Sequence, residues 1–264
     1  MLDIDRIYNL DCVDGMLMLD DESIDLVVTS PPYDNLRKYN GFTFDIDKTI
    51  IQLFRTIKIG GVVVWIVGDQ TIKGSETGTS FRQAIKFIDN GFNLHDTMIY
   101  HKQNYIPLTH NRYEQCFEYM FVFSKGKPKA FNPIMIPCKN AGKLEKYSPD
   151  RRKKIDKNQS MRLYETEVIK ETNETKIHPN IFTYTIGTSK TGHPAPFPNE
   201  LAHDMIISWS NENDIVLDPF IGSGTVAVEC IKTNRHYIGF DISTEYCDMS
   251  NERINDINRN IKLL

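Results

Sequence analysis

Apolar runs too short to be helices alternate along this chain with stretches of helical spacing, and that alternation leaves few folds open. Residues 24–29 (IDLVVT) read as a buried strand, and 45–58 as a helix with Ile46, Ile50, Phe54 and Ile57 on one face. Gly60-Gly61 is expected to break that helix ahead of a second buried strand, VVVWIV at 62–67. The stretch 80–91 predicts a helix with Ser80 as N-cap and Gly91 at its stop. Strands are expected at 94–100 and 117–123, then at 215–218 (IVLD) and 237–241 (YIGFD). Helices are expected at 199–210, from about Thr225, and from Ser243. Between them, 125–192 is rich in Lys, Asn and Pro and weakly periodic, and reads as an inserted lobe or long loops. The pattern predicts an α/β fold: a doubly wound, mostly parallel sheet built from both ends of the chain. The expected division is 1–125 with 190–264 as the main domain and 126–189 as the insert.

The 264 residues suffice for one sizeable core with such a lobe. No apolar run is long enough to cross a bilayer, and the mixed, acidic start MLDIDRIYNLDC does not read as a signal peptide, so the expected location is the cytoplasm with no membrane partner. The five cysteines are scattered without a CxxC pair, which argues against a zinc site or a disulfide framework. The net charge is only −4, yet residues 139–162 hold nine basic and three acidic side chains. That patch, with Lys139, Lys143, Arg151, Arg152, Lys153 and Lys154, suits a nucleic-acid backbone, although a charge run by itself also describes a solvated loop.

Two corners carry the chemistry. The first, SPPY at 30–33, leaves a buried strand through two prolines, which makes it stiff and orients its carbonyls. The second, DPFIGSGT at 218–225, leaves another strand and opens a helix; Gly222 and Gly224 let backbone approach a ligand closely. The next strand ends in Asp241, where an acidic tip reads a ribose in dinucleotide-type folds. There is no GxxxxGKS/T, and Asp218 at the head of the loop disfavours a triphosphate and favours an amine-bearing nucleoside. If the two strands are neighbours, both corners face one crevice.

Together, TSPPYDN behind a buried strand and LDPFIGSGTVAVEC followed by RHYIGFDIS resemble the amino-methylating DNA methyltransferases, whose signatures are D/S/N-P-P-Y/F/W and F-x-G-x-G. HPAPFPNELAHDMI at 193–206 resembles the segment that packs on the methionine end of their cofactor. Catalytic motif first and cofactor loop last resembles the beta group, in which target recognition lies between them. The resemblance covers 1–125 and 190–260. It implies a Rossmann-like methyltransferase fold, S-adenosylmethionine as cofactor and double-stranded DNA as substrate, with a restriction endonuclease and a homodimer as further expected partners. By the same resemblance Ser30, Pro31, Pro32 and Tyr33 are catalytic. Pro196, Phe197, Asp218, Pro219, Phe220, Gly222, Ser223, Gly224 and Thr225 line the cofactor, with Asp241 on its ribose, Ile242 against its adenine, and Asp11, Cys12 and Thr29 nearby. Asp11 also reads as a plain helix cap.

The implied chemistry suits the residues. An exocyclic amine is a poor nucleophile because its lone pair is delocalised into the base. Acceptors at Ser30 and the Pro31 carbonyl would draw the nitrogen toward tetrahedral geometry, while Tyr33 stacks on a base rotated out of the duplex. In this family Ser in the first position goes with N4 of cytosine and Asp with N6 of adenine, so Ser30 favours cytosine N4, with adenine N6 as the alternative. An RNA or protein methyltransferase and a non-catalytic binding protein on the same scaffold are the rivals from other classes. Pro137-Cys138 has the composition of a C5-cytosine nucleophile, but it stands before the glycine loop, the reverse of the C5 order.

Overall fold

A computed structural model describes residues 2–32, 45–105, 111–147, 168–185 and 198–261. The chain first lays down β1 (Arg6–Asn9), α1 (Cys12–Leu17), β2 (Ile24–Thr29), α2 (Ile46–Thr56) and β3 (Ile57–Val67). A two-strand ribbon, β4 (Thr71–Ile72) and β5 (Ser75–Glu76), precedes α3 (Thr79–Asp89), β6 (Asn93–Lys102) and β7 (Phe117–Ser124). Short strands follow: β8 (Met135–Pro137), β9 (Leu144–Tyr147), β10 (Val168–Glu171), β11 (Thr175–Ile177) and β12 (Ile181–Tyr184). The chain then runs through α4 (Asn199–Trp209), β13 (Ile215–Asp218), α5 (Thr225–Lys232), β14 (His236–Asp241) and α6 (Thr244–Ile261). Among the described residues no helix is long and apolar enough to cross a membrane.

Eight strands form one sheet in the order β1-β14-β13-β2-β3-β7-β6-β12. Every neighbouring pair is parallel except the two made by β7, which runs against both β3 and β6. The central strands β2 and β3 are apolar on both faces and buried along most of their length, as strands covered by helices on either side must be. Ile50 and Leu53 of α2 pack with Val27, Val63, Trp65 and Phe87 on one face. Val216 and Leu217 of β13 pair with Leu26 and Val27 of β2, so the two strands that end in corners are neighbours. From β2 the chain moves on to β3 in one direction, and from β13 to β14 in the other. The order therefore reverses between β2 and β13, where open α/β sheets bind ligands.

Three expectations need correction. Gly60-Gly61 does not break α2: the helix stops at Thr56, and Lys125 closes it by donating to the carbonyls of Phe54 and Ile57 at 2.9 and 3.1 Å. Gly60, at φ +85°, instead sits inside β3, where the pairing with β2 shifts register in a bulge. Ser80 is not the N-cap of α3. Gly78 holds that position, and Ser80 lies in the first turn with its hydroxyl and backbone N–H both donating to Asp69. The tract 125–192 is less irregular than its composition suggests, because β12 returns to the main sheet beside β6. Strand β1 and helix α1 carry too few residues to have shown a period.

Two compact units result. The first comprises Met1–Asn132 with Asn180–Leu264, and the second Pro133–Pro179. The second is narrower than the expected 126–189. It is built on two antiparallel pairs, β8 with β11 and β9 with β10.

Candidate active site

Strand β2 delivers Thr29 to the carboxyl edge of the sheet, followed at once by Ser30, Pro31 and Pro32. Pro31 is buried, and Ser30 and Pro32 are half-buried. Tyr33 lies outside the described residues. Strand β13 delivers Asp218 to the same edge. The Thr29 hydroxyl donates to Asp218 Oδ1 at 2.6 Å, and the Phe220 N–H donates to the same oxygen at 3.0 Å. The two corners thus meet at one carboxylate. Burial pushes the Asp218 carboxyl up to about 7, against the opposing pull of these two hydrogen bonds, and the nearby Asp241 adds to the rise.

The glycine loop is held from three sides. The Ile221 N–H donates to the Phe240 carbonyl at 2.9 Å. Asp241 accepts from the Gly222 N–H at 3.0 Å through Oδ2 and from the Ser243 N–H at 2.8 Å through Oδ1. From α6, the Ser250 hydroxyl donates to the Gly222 carbonyl at 2.6 Å, and Arg253 donates to the Ser223 carbonyl and to Ser223 Oγ. Gly224 has φ +78°, and a Cβ there would lie 2.9 Å from Ser250, so the loop closes on α6 only with glycine. Pro219 and the stretch from Ile221 to Thr225 are buried, and the Phe220 ring packs edge-on to Trp65 at 6.3 Å, anchoring the loop in the core. Burial also raises the Asp241 carboxyl, against its two backbone donors.

The remaining expected residues divide. Ile242, 40% exposed, directly follows Asp241 at the end of β14. Asp11 is the N-cap of α1, accepting from the N–H groups of Val13 and Asp14 at 2.8 and 3.3 Å. Cys12 is buried with Sγ 3.7 Å from the Thr49 hydroxyl, and burial pushes its thiol up to about 12. Lys139 and Lys143 are exposed in the second unit. Pro196, Phe197, Arg151, Arg152, Lys153 and Lys154 lie outside the described residues. Sequence reasoning missed Asn9, Ser250 and Arg253. Asn9, at the tip of β1, donates to the Asp241 carbonyl at 2.9 Å, and its own acceptor takes the Thr244 hydroxyl at 3.0 Å. None of the three sits in a motif; only the pairing of β1 with β14 and the docking of α6 bring them to the loop.

The donor set fits a nucleoside with an amino-acid tail. Each Asp241 oxygen has one backbone donor and keeps a lone pair, which suits a ribose diol. Among the described residues nothing donates to Asp218 Oδ2, which leaves an acceptor for an ammonium.

Comparison with known proteins agrees. The profile of the DNA methylase family for N6 and N4 amino groups matches residues 24–252. The orphan methyltransferase M.BamHII of Bacillus amyloliquefaciens is 50% identical over 241 residues, covering 89% of each chain. The solved M1.HpyAVI–SAM complex is 25% identical with a TM-score of 0.64, covering 95% of this chain and 98% of that one. The cytosine-N4-specific PvuII DNA methyltransferase shares the fold at 22% identity with a TM-score of 0.68, covering 97% of this chain and 91% of that one. With its two corners joined at the switch point of a mostly parallel sheet, the chain belongs to the N6/N4 DNA methylase family, the S-adenosylmethionine-dependent methyltransferases of DNA.

Proposed function

We infer that this enzyme methylates the exocyclic N4 amine of cytosine in a base turned out of duplex DNA. The observation that carries the site is the junction of the two corners, Thr29 to Asp218 at 2.6 Å, which sets the amine-gripping residues beside the cofactor loop. The choice of base rests on Ser30 at the head of the proline corner.

Asp218 and Asp241 hold the cofactor's ammonium and ribose, and the glycine loop lets its backbone approach. When bound, S-adenosylmethionine supplies a methyl group already activated on a sulfonium. The chain's part is to grip the acceptor. Ser30 and the Pro31 carbonyl accept the amine's N–H groups, which withdraws the nitrogen lone pair from the ring and aims it. Pro31 and Pro32 hold those acceptors rigid, so no ordering is required as the reaction occurs. Tyr33 provides a face for the base to stack on. The basic stretch 139–162 in the second unit contacts phosphates, which makes DNA affinity fall with salt.

The test is transfer of a tritiated methyl from S-adenosylmethionine to mixed-sequence duplex DNA, followed by digestion and separation of nucleosides. Label in N4-methylcytosine, lost in Ser30→Ala and Pro31→Ala, is the expected result. Label in N6-methyladenine keeps the grip and overturns the role assigned to Ser30. Label in RNA offered in a parallel reaction, with none in DNA, overturns the substrate.

A further inference from the structure

The catalytic corner and the cofactor loop share a single buried oxygen. Asp218 Oδ1 accepts both the Thr29 hydroxyl and the Phe220 N–H, so one atom ties the end of β2 to the start of the glycine loop. Thr29 is fully buried and Asp218 is 2% exposed, so water does not compete for the bond. Ser30 follows Thr29 in the chain, and Pro31 is buried behind it. A displacement at Thr29 therefore passes to the amine acceptors with little slack. The Thr29 hydroxyl proton is committed to Asp218, which makes a direct contact with the cofactor a poor account of this residue.

We propose that Thr29 is a positioning residue: its hydrogen bond to Asp218 sets the Ser30–Pro31 acceptors against the methyl donor, so that filling the cofactor loop also aligns the corner. This rests on the methyltransferase reading of the site. The physical reason is tolerance. Direct displacement needs donor and acceptor aligned to a fraction of an ångström, and a short bond to a carboxylate is strong enough to hold that alignment. The same bond favours the ionised carboxylate. Among the described residues, the groups that face Asp218 besides Thr29 are the Phe220 N–H beside it, Asp241 on β14 and the Cys230 thiol on α5. None of these is a cation, so Thr29 is the one side-chain donor among the described residues that favours the charge.

The experiment compares the full-length wild type with Thr29→Val, Thr29→Ser and Thr29→Cys. It reads cofactor affinity by calorimetry and single-turnover methyl transfer to DNA at saturating cofactor. Thr29→Val is expected to lower the single-turnover rate by about a hundredfold while changing cofactor affinity by less than about fivefold. Thr29→Ser is expected to restore the rate to within about threefold, and Thr29→Cys, a weaker donor, to fall between them. The acid limb of cofactor binding is expected to move to higher pH in Thr29→Val and to stay in place in Thr29→Ser. A Val variant with wild-type rate, or one that loses affinity but reaches the wild-type rate at saturation, overturns the proposal. So does failure of Ser to rescue. If the Val protein does not fold, equal rates for Ser and Cys overturn it. A wild type that binds cofactor but labels no DNA defeats the methyltransferase reading itself, an outcome that no Thr29 variant can mimic.

Discussion

Asp218 carries a conflict between stability and binding. Its carboxyl titrates at about 7 in the folded protein against 3.8 in an exposed chain, so the folded state holds the proton more tightly. That preference stabilises the fold fully below about pH 4 and is lost as pH rises through 7. Asp218→Asn keeps an acceptor for Thr29 and Phe220 without burying a charge. It is expected to be more stable than wild type above pH 7, by on the order of 2 kcal/mol, with the gap closing toward low pH. With Asp218 on the cofactor's ammonium as proposed, cofactor affinity should fall in the same variant by about tenfold to a hundredfold, because the counter-charge is lost. Thermal melts across pH and a binding titration check both halves. Asp218 was visible in the sequence as an acidic strand tip. Thr29 was legible only as a residue near the cofactor; its bond to Asp218 was not, because the two lie 189 residues apart and only strand pairing brings them together.

Helix α6 is the element that shapes the glycine loop. Ser250 and Arg253, three residues apart on one face, bond to Gly222 and Ser223 respectively. Gly224→Ala forces a side chain into a left-handed backbone and against Ser250; a loss of at least about 2 kcal/mol, with cofactor binding abolished, is the expected result by chemical denaturation and titration. Arg253→Met keeps the length and removes the donors, and is expected to weaken cofactor binding by about tenfold with a stability loss of about 1–2 kcal/mol. The helix itself was legible from its spacing, and so were the strands that flank the two corners, since buried parallel strands read as continuous apolar runs. What escaped was local chemistry decided by distant partners. Ser80 has the composition of an N-cap, but Asp69 at the end of β3 recruits it as a donor. Gly60-Gly61 has the composition of a helix stop, but Lys125 closes α2 and frees those glycines for a bulge in β3.

Across the molecule, the unit Pro133–Pro179 is bounded by two asparagines of the first unit. Asn132 donates to the carbonyls of Ile207 and Ser210, and Asn180 to Asp96 and the Thr97 carbonyl. Replacing 133–179 with a Gly-Ser linker is expected to leave cofactor affinity within about threefold and to lower DNA affinity by about a hundredfold or more, measured by calorimetry and by gel shift at low salt. The five thiols give a second readout of the whole fold. Cys12, Cys230 and Cys247 are buried, and burial pushes Cys12 up to about 12 and Cys247 to about 11. Cys116 and Cys138 are half-exposed, so a thiol reagent at mildly alkaline pH is expected to label these two fast and the other three only on unfolding. The position of β1 has one more consequence. Its partner in the sheet is β14, and the register joins Arg6 to Ile238 and Asn9 to Asp241. On the ribosome, β1 emerges before β14 and waits unpaired while the 232 residues that carry the chain from Asn9 to Asp241 are made. Its edge is satisfied only when β14 emerges, so the nascent chain carries an open strand that a chaperone can shield, and the pairing of Asn9 with Asp241 does not exist before then.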